Sequence, residues 1–325
     1  MKKLPKNFIN TTIITARRCA KALLWAFIAL YLIFMVKWPR LLDTFLSVDW
    51  RFMTVLIILS FLYQLCLAQT TFLLMKLLGC KISFTHVFKT NYASISSAYF
   101  SQTAGTIHRL IGLSGKNNSK TEIMYIMLYE RSQIFLICFI LLFFYSFLSP
   151  KSTIPSPFII ASYIYIFVFI VMCAICIGLK LSYESNVVRI SIPKWSELWL
   201  QKLMLGLSKI RSIKWQEHFV VLLPQFCITI IMICQYLLLS RMVGHPIDLS
   251  LAIFLYAFMR LLESVPILAW GMGLQDGFLI VFLPSIGLTH EVVVIWVAIV
   301  FSNRIIQALI GLFFWMSLKQ TPSTT

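Results

Sequence analysis

The chain has 325 residues, of which 60% are hydrophobic and 12% are charged, and its mean hydropathy is +0.88. No ordinary soluble domain has this balance, so the composition predicts an all-α polytopic membrane protein. The net charge of +17 does not indicate a nucleic-acid partner, because the basic residues cluster in a few loops between apolar runs.

Six apolar runs are long enough to cross a bilayer, since a hydrocarbon core of about 30 Å requires about 20 helical residues. These runs are 20–37, 53–75, 122–148, 157–179, 219–240 and 291–318. Two further apolar regions, 82–115 and 249–288, are interrupted by glycine, proline or polar residues, and each is predicted to form a broken or re-entrant helical hairpin. The predicted fold therefore has six full transmembrane helices and two broken hairpins, or about eight spans if each hairpin is counted as one.

The basic loops predict the orientation of the chain, because cytoplasmic loops carry an excess of Lys and Arg. The predicted cytoplasmic segments are the basic amino terminus 1–19, the stretch 76–121, the basic loop 180–218 and the tail 319–325. The loops 38–52 and 149–156 are then external. We therefore expect a multi-pass protein of a cell inner membrane, with both termini in the cytoplasm.

The loop 180–218 contains the sequence WSELWLQKLMLGLSKI, in which apolar and basic residues recur at helical spacing. One interpretation is an amphipathic helix that lies on an anionic membrane face. The other interpretation is a plain solvated basic loop. The sequence favours neither.

The two broken regions show the same order of features. Residues 101–144 and 269–315 each contain a break centred on glycine, at Gly105 in the first and at Gly271 and Gly273 in the second. A polar or charged residue follows each break, then a short apolar limb that ends in glycine, then a long helix with an arginine. Chance similarity between hydrophobic helices is the alternative explanation.

Three predicted spans separate the two broken regions, so these regions approach the membrane from opposite faces. This arrangement predicts an inverted repeat with halves at 20–148 and 157–318. Inverted repeats with discontinuous helices are typical of transporters, in which unwound backbone lines a cavity at membrane depth.

Ionisable residues are rare inside the predicted spans, and they are costly there, at about 2.5–3.5 kcal/mol each on insertion scales. Arg260 and Glu263 stand three residues apart on one helix face, which predicts a structural ion pair.

The remaining intramembrane charges allow two interpretations. Arg109, Arg131 and Arg304 can follow a lipid phosphate across the membrane, because a guanidinium presents a fork suited to phosphate. Alternatively, Glu130 pairs with Arg109 and Asp276 pairs with Arg304, and these charges are structural.

No catalytic pattern stands out in the sequence. The five histidines lack metal-ligand spacing, and nucleotide-binding glycine motifs and nucleophile motifs are missing. We therefore expect no enzymatic activity, no metal and no cofactor.

The second broken region, ESVPILAWGMGLQDGFLIVFLPSIGL followed by FSNRIIQALIGLFF, resembles the lysylphosphatidylglycerol synthase transmembrane region, also called the flippase-like domain family. A weaker match is NYASISSAYFSQTAGTIHRLIGL with YERSQ. The resemblance points to Asn91, Gly105, Arg109, Glu130, Arg131, Pro266, Gly271, Gly273, Asp276 and Arg304 as substrate-binding or translocation residues. His108 is predicted to belong to the same site, although it stands at about the place where the family usually has a carboxylate.

The resemblance implies a lipid translocase that moves a phospholipid, a modified lipid or a polyprenyl-linked glycolipid between leaflets. Its partners would be membrane lipids, either an anionic lipid or a lipid-linked sugar. It does not imply the synthase, whose soluble domain follows the membrane region, because this chain ends seven residues after the last predicted span. One alternative is a noncatalytic scaffold for a glycosyltransferase or lipid-modifying enzyme, and a weaker one is a membrane-embedded lipid-modifying enzyme.

Overall fold

The computed structural model describes residues 34–100, 102–114, 118–148, 215–263 and 274–320, together with three single residues between 160 and 167. Regular secondary structure in these ranges is entirely helical. The helices are α1 (Trp38–Leu46), α2 (Arg51–Leu77), α3 (Phe84–Phe100), α4 (Gln102–Leu113), α5 (Lys120–Leu148), α6 (Trp215–Met242), α7 (Leu249–Glu263), α8 (Leu274–Ser285) and α9 (His290–Gln320).

Four of these helices are long and apolar enough to cross a membrane. Their candidate spans are Arg51–Leu77, Lys120–Tyr145, Gln216–Met242 and His290–Leu318. They coincide with four of the six predicted spans, so the prediction of an all-helical multi-pass membrane protein is confirmed for the described part of the chain. The other two predicted spans, 20–37 and 157–179, lie largely outside the described residues.

The long helices α2 and α6 end in the same way. Gly79 and Gly244 follow their last turns with φ of +78° and +74°, a left-handed conformation that favours glycine. The next amide closes each end, as Cys80 N–H donates to Met75 O at 2.9 Å. These helices therefore stop at a position fixed by a single glycine.

Helices α2 and α6 pack against each other and run antiparallel. The amide of Asp49, just before α2, donates to the carbonyl of Met242 at the end of α6, at 3.2 Å. The start of one helix therefore lies beside the end of the other.

The shorter helices form two pairs around this centre. The α3/α4 pair lies in the chain between α2 and α5, and α3 packs against α9. The α7/α8 pair lies between α6 and α9, and α7 packs against α5. Because α2 and α6 are antiparallel, the two pairs enter the bundle from opposite ends.

The break in the first pair does not lie where the sequence analysis placed it. Gly105 is inside α4, which begins at Gln102, whereas α3 ends at Phe100. A Cβ atom on Gly105 would stand 2.5 Å from Ala98 Cβ and 2.9 Å from Ser94 O. The glycine therefore allows α3 and α4 to approach closely, and its prediction as the centre of the break is wrong.

The predicted external loop 38–52 contains the short helix α1. The side chains of Trp38, Leu42 and Leu46 are exposed along it, at helical spacing. The backbone amide of Lys37 donates to Glu291 Oε1 at 3.1 Å, which ties α1 to the start of α9. This rim helix is therefore fixed at the same end of the bundle as the α7/α8 pair.

Several predicted segments lie outside the described residues. They are 1–19, 149–156, most of 180–218 and 321–325.

Candidate functional site

A cavity of about 620 Å³ lies where the four long helices meet the two helix pairs. Every helix from α2 to α9 contributes to its wall. Its ionisable lining residues include Arg109, Glu130, Arg131, Arg260, Glu263 and Arg304. The fold thus brings charges from distant parts of the sequence into one space.

These charges lie deep in the bundle. Arg131 follows the first residue of α5, Lys120, by eleven positions, or about 17 Å along the helix axis. Arg304 follows His290, the first residue of α9, by fourteen positions, or about 21 Å. Both arginines therefore stand near the middle of helices that are long enough to span a membrane.

The first charged cluster joins α2, α3, α4 and α5. Arg109 Nη2 donates to both oxygens of Glu130, at 2.7 and 2.8 Å, and Arg109 Nε donates to Asn91 Oδ1 at 2.8 Å. The Thr71 hydroxyl donates to Glu130 Oε1 at 2.7 Å and accepts a bond from the Asn91 amide. Glu130 is only 3% exposed, so this network compensates a buried charge.

The second cluster joins α7, α8 and α9. Arg304 Nη1 stands 3.2 Å from both carboxylate oxygens of Asp276. Its Nη2 donates to Gln275 Oε1 at 3.0 Å, and the Gln275 amide donates to the carbonyl of Met259 at 3.2 Å. Both carboxylate pairings that the sequence offered as alternatives to substrate contact, Arg109 with Glu130 and Arg304 with Asp276, are present.

The predicted ion pair on α7 is also present. Arg260 Nη1 donates to Glu263 Oε2 at 2.6 Å. The guanidinium lies over the rings of Tyr63 and Tyr256, 5.1 and 5.8 Å from their centroids. Arg260 is therefore held by one carboxylate and two aromatic faces.

Arg131 differs from the other three cavity arginines. Its side chain is exposed at the cavity wall. Among the described residues, no carboxylate lies within 4 Å of it, whereas the other three arginines each have one.

A serine on α2 links three long helices, and sequence reasoning missed it. The amides of Gln235 on α6 and Asn303 on α9 donate to Ser60 Oγ at 2.9 and 2.8 Å. Ser60 Oγ in turn donates to the carbonyl of Leu56 at 2.9 Å. The available signal was weak, because Ser60 and Gln235 are each one of several polar residues in their helices and nothing in the sequence distinguishes them from the others.

Some buried polar atoms of cavity-lining residues have no hydrogen-bond partner within the described part of the chain. They are Gln64 Oε1, Arg260 Nε, Asn303 Oδ1 and Gln307 Nε2. Buried polar atoms are nearly always paired in folded proteins, so such atoms indicate a space suited to a polar ligand or to water.

The structure does not bring every predicted site residue to the cavity. His108 faces Ser97 Oγ, with its Nδ1 at 2.9 Å, and packs near Trp315, outside the cavity wall. Pro266, Gly271 and Gly273 lie outside the described residues.

The described residues contain no group of three or more His, Cys, Asp or Glu side chains placed to hold a metal ion.

The described helices and the charged cavity between them define a polytopic α-helical membrane protein with a polar site inside its helix bundle. Residues 21–311 match the family model described as the lysylphosphatidylglycerol synthase TM region, and the chain belongs to this family. The resemblance seen in the sequence motifs is therefore confirmed. No curated protein and no solved structure matches the chain.

Proposed function

We propose that this protein is a lipid translocase of a bacterial inner membrane. It would move a phospholipid, a modified lipid or a polyprenyl-linked glycolipid between leaflets. The observation that carries this proposal is the cavity of about 620 Å³, which is lined by four arginines and lies among helices that are long enough to span a membrane. Ionisable residues in such helices are costly, and they commonly mark a substrate or ion pathway.

The helix contacts support an inverted repeat, in which α2, α3, α4 and α5 correspond to α6, α7, α8 and α9. Each of the main contacts has a counterpart under this exchange; α3 packs on α9, for example, and α7 packs on α5. The ion pairs correspond as well, because Arg109–Glu130 joins α4 to α5 and Asp276–Arg304 joins α8 to α9. Transporters with such repeats bind their substrate at the interface of the halves and expose it alternately to each side.

The charge pairs also favour transport over chemistry. Each carboxylate of the charged clusters is engaged by an arginine, at 2.7 Å for Glu130, 2.6 Å for Glu263 and 3.2 Å for Asp276. A carboxylate held in this way is poorly suited to take up a proton from a substrate. We therefore propose that the cargo crosses the membrane unmodified.

Reconstitution tests this proposal. The full-length protein is inserted into vesicles with fluorescent phospholipids in the inner leaflet, and external dithionite reports the lipids that reach the outer leaflet. We expect faster loss of fluorescence than in protein-free vesicles.

A pair of serine variants separates transport through the cavity from nonspecific leakage. Ser94 lines the cavity and bonds to the carbonyl three residues before it at 2.6 Å, and Ser132 makes the same kind of bond at 2.8 Å on an exposed face. Ser94→Trp would fill the cavity and stop lipid movement, whereas Ser132→Trp would leave it unchanged. Wild-type vesicles that behave like protein-free vesicles would overturn the proposal, and equal rates for the two variants would exclude this cavity as the path.

A further inference from the structure

We infer that Arg131 binds the phosphodiester of a lipid with a net charge of minus one. The inference rests on the proposed function in one respect, since it takes the cavity as the place where the transported lipid is bound. It adds the class of lipid and the residue that selects it.

The first step is the balance of charges. Among the described residues, four arginines line the cavity, and three carboxylates, Glu130, Glu263 and Asp276, are bound to three of them. Within the described residues one arginine, Arg131, has no carboxylate bound to it, and it interacts with Glu263, which is bound to Arg260, only beyond salt-bridge distance. An unmatched charge at this depth is unfavourable, so a ligand with one negative charge complements the cavity best.

The second step is to ask which cavity arginine has a guanidinium group available to bind a ligand. Arg109 donates a hydrogen bond from Nε to Asn91 and another from Nη2 to Glu130. Arg304 uses both terminal nitrogens on Asp276 and Gln275. The Arg131 guanidinium has no hydrogen bond to a described residue, and its planar fork matches two oxygens of a phosphodiester.

The third step is the apolar wall beside Arg131. Met124, Met127 and Leu128 also line the cavity, on the same face of α5 and one to two turns before Arg131. Leu128 is 49% exposed, so this face is open to an acyl chain. A charged group followed by an apolar track suits an amphiphile better than a free anion, and we assign the phosphodiester to a lipid head group.

Four ligands, all added to the purified full-length protein, test the assignment. Phosphatidylglycerol carries one net negative charge, phosphatidylcholine none and lysylphosphatidylglycerol a net positive charge, and glycerophosphoglycerol is a soluble phosphodiester without acyl chains. Native mass spectrometry of the detergent-solubilised protein gives the affinity for each. We expect phosphatidylglycerol to bind tightest.

Three substitutions complete the design. Arg131→Gln is expected to weaken phosphatidylglycerol binding by about 10- to 100-fold, the effect of losing a hydrogen bond to a charged group. Arg131→Lys keeps the charge and should recover part of that loss. Arg51→Gln removes the same charge from an exposed residue at the start of α2, outside the cavity wall, and should change nothing.

Three results would each overturn the inference. They are equal binding of phosphatidylglycerol and phosphatidylcholine, unchanged binding by Arg131→Gln at unchanged thermal stability, and equally tight binding of glycerophosphoglycerol. A loss for Arg131→Lys as large as that for Arg131→Gln would also refute the role of charge.

The vesicle assay separates this inference from the proposed function. If the protein moves phosphatidylglycerol and phosphatidylcholine equally, and Arg131→Gln does so too, the inference fails and the translocase proposal stands. If phosphatidylglycerol binds in an Arg131-dependent way but no lipid moves, the site stands and the translocase proposal fails.

Discussion

The buried charges of this protein show how single ionisable residues are accommodated inside an apolar helix bundle. Glu130 receives bonds from a guanidinium and a hydroxyl, whereas Asp276 meets its arginine at longer distance. The Arg109 and Glu130 side chains are 13% and 4% exposed, and those of Arg304 and Asp276 are 21% and 11% exposed. The first pair is therefore more completely removed from solvent, and its loss should cost more.

We predict that Glu130→Gln lowers the free energy of unfolding by about 3 kcal/mol, because it leaves Arg109 partly buried without a counterion. Asp276→Asn should cost about 1 kcal/mol, since Arg304 is more accessible and keeps Gln275. Unfolding of the detergent-solubilised variants measures both. Equal costs, or a larger cost for Asp276→Asn, would contradict the ranking.

For single residues, the sequence predicted ion pairs better than it predicted hydrogen-bond networks. The i, i+3 spacing was enough to predict Arg260 with Glu263. The scarcity of carboxylates suggested partners for Arg109 and Arg304. Ser60 was not predicted, because it is one of several hydroxyl residues in α2 and its importance comes from the contacts that α6 and α9 make with it.

Close packing between helices depends on glycines at the points where the helices cross. The sequence does not distinguish these glycines from the others. Gly311 brings α9 against α3, because a Cβ atom there would collide with the carbonyl of Tyr92 and stand 2.6 Å from Ser96 Oγ. Ser96 also donates to the carbonyl of Ala308 at 2.7 Å. Small residues at such crossings let transmembrane helices pack closely where lipid provides no hydrophobic driving force.

We predict that Gly311→Leu separates α9 from α3 and lowers the free energy of unfolding by about 1–3 kcal/mol, the usual cost of overpacking. Ser302→Leu is the control, since Ser302 is an exposed small residue on the same helix. Thermal unfolding in detergent compares the two variants. A larger loss for Ser302→Leu would show that the crossing is not tightly packed.

The sequence predicted the existence of the helices better than their interruptions. Runs of about 20 apolar residues located all four long helices that the described chain contains. The sequence predicts the first break at Gly105 because glycine often interrupts helices, but in the structure Gly105 allows a close contact between two helices. Sequence spacing alone does not separate these two uses of glycine.

For the whole molecule, the antiparallel α2 and α6 place the two helix pairs at opposite ends. The excess of Lys and Arg in the predicted cytoplasmic segments predicts which end of the bundle faces the cytoplasm. It is the end that carries the link between α2 and α3. The cavity was beyond sequence reasoning, because it requires eight helices to be placed in space.

This orientation can be measured with single cysteines in a chain whose native cysteines are replaced. Asp43 in α1 and Lys81 after α2 are both exposed and lie at opposite ends of α2. We predict that a membrane-impermeant maleimide added outside right-side-out vesicles labels Asp43→Cys and not Lys81→Cys. Permeabilised vesicles, in which both should react, are the control, and the reverse pattern would invert the topology.

The rim helix α1 has a consequence for the membrane itself. Its apolar side chains are exposed, and its link to Glu291 fixes it to the bundle, so we expect it to set the depth at which that end sits among the head groups. A thinner or thicker bilayer then has to be accommodated at the other end, where α3 and α4 enter. The length of the lipid acyl chains would thereby affect the α3/α4 end of the bundle more than the α7/α8 end.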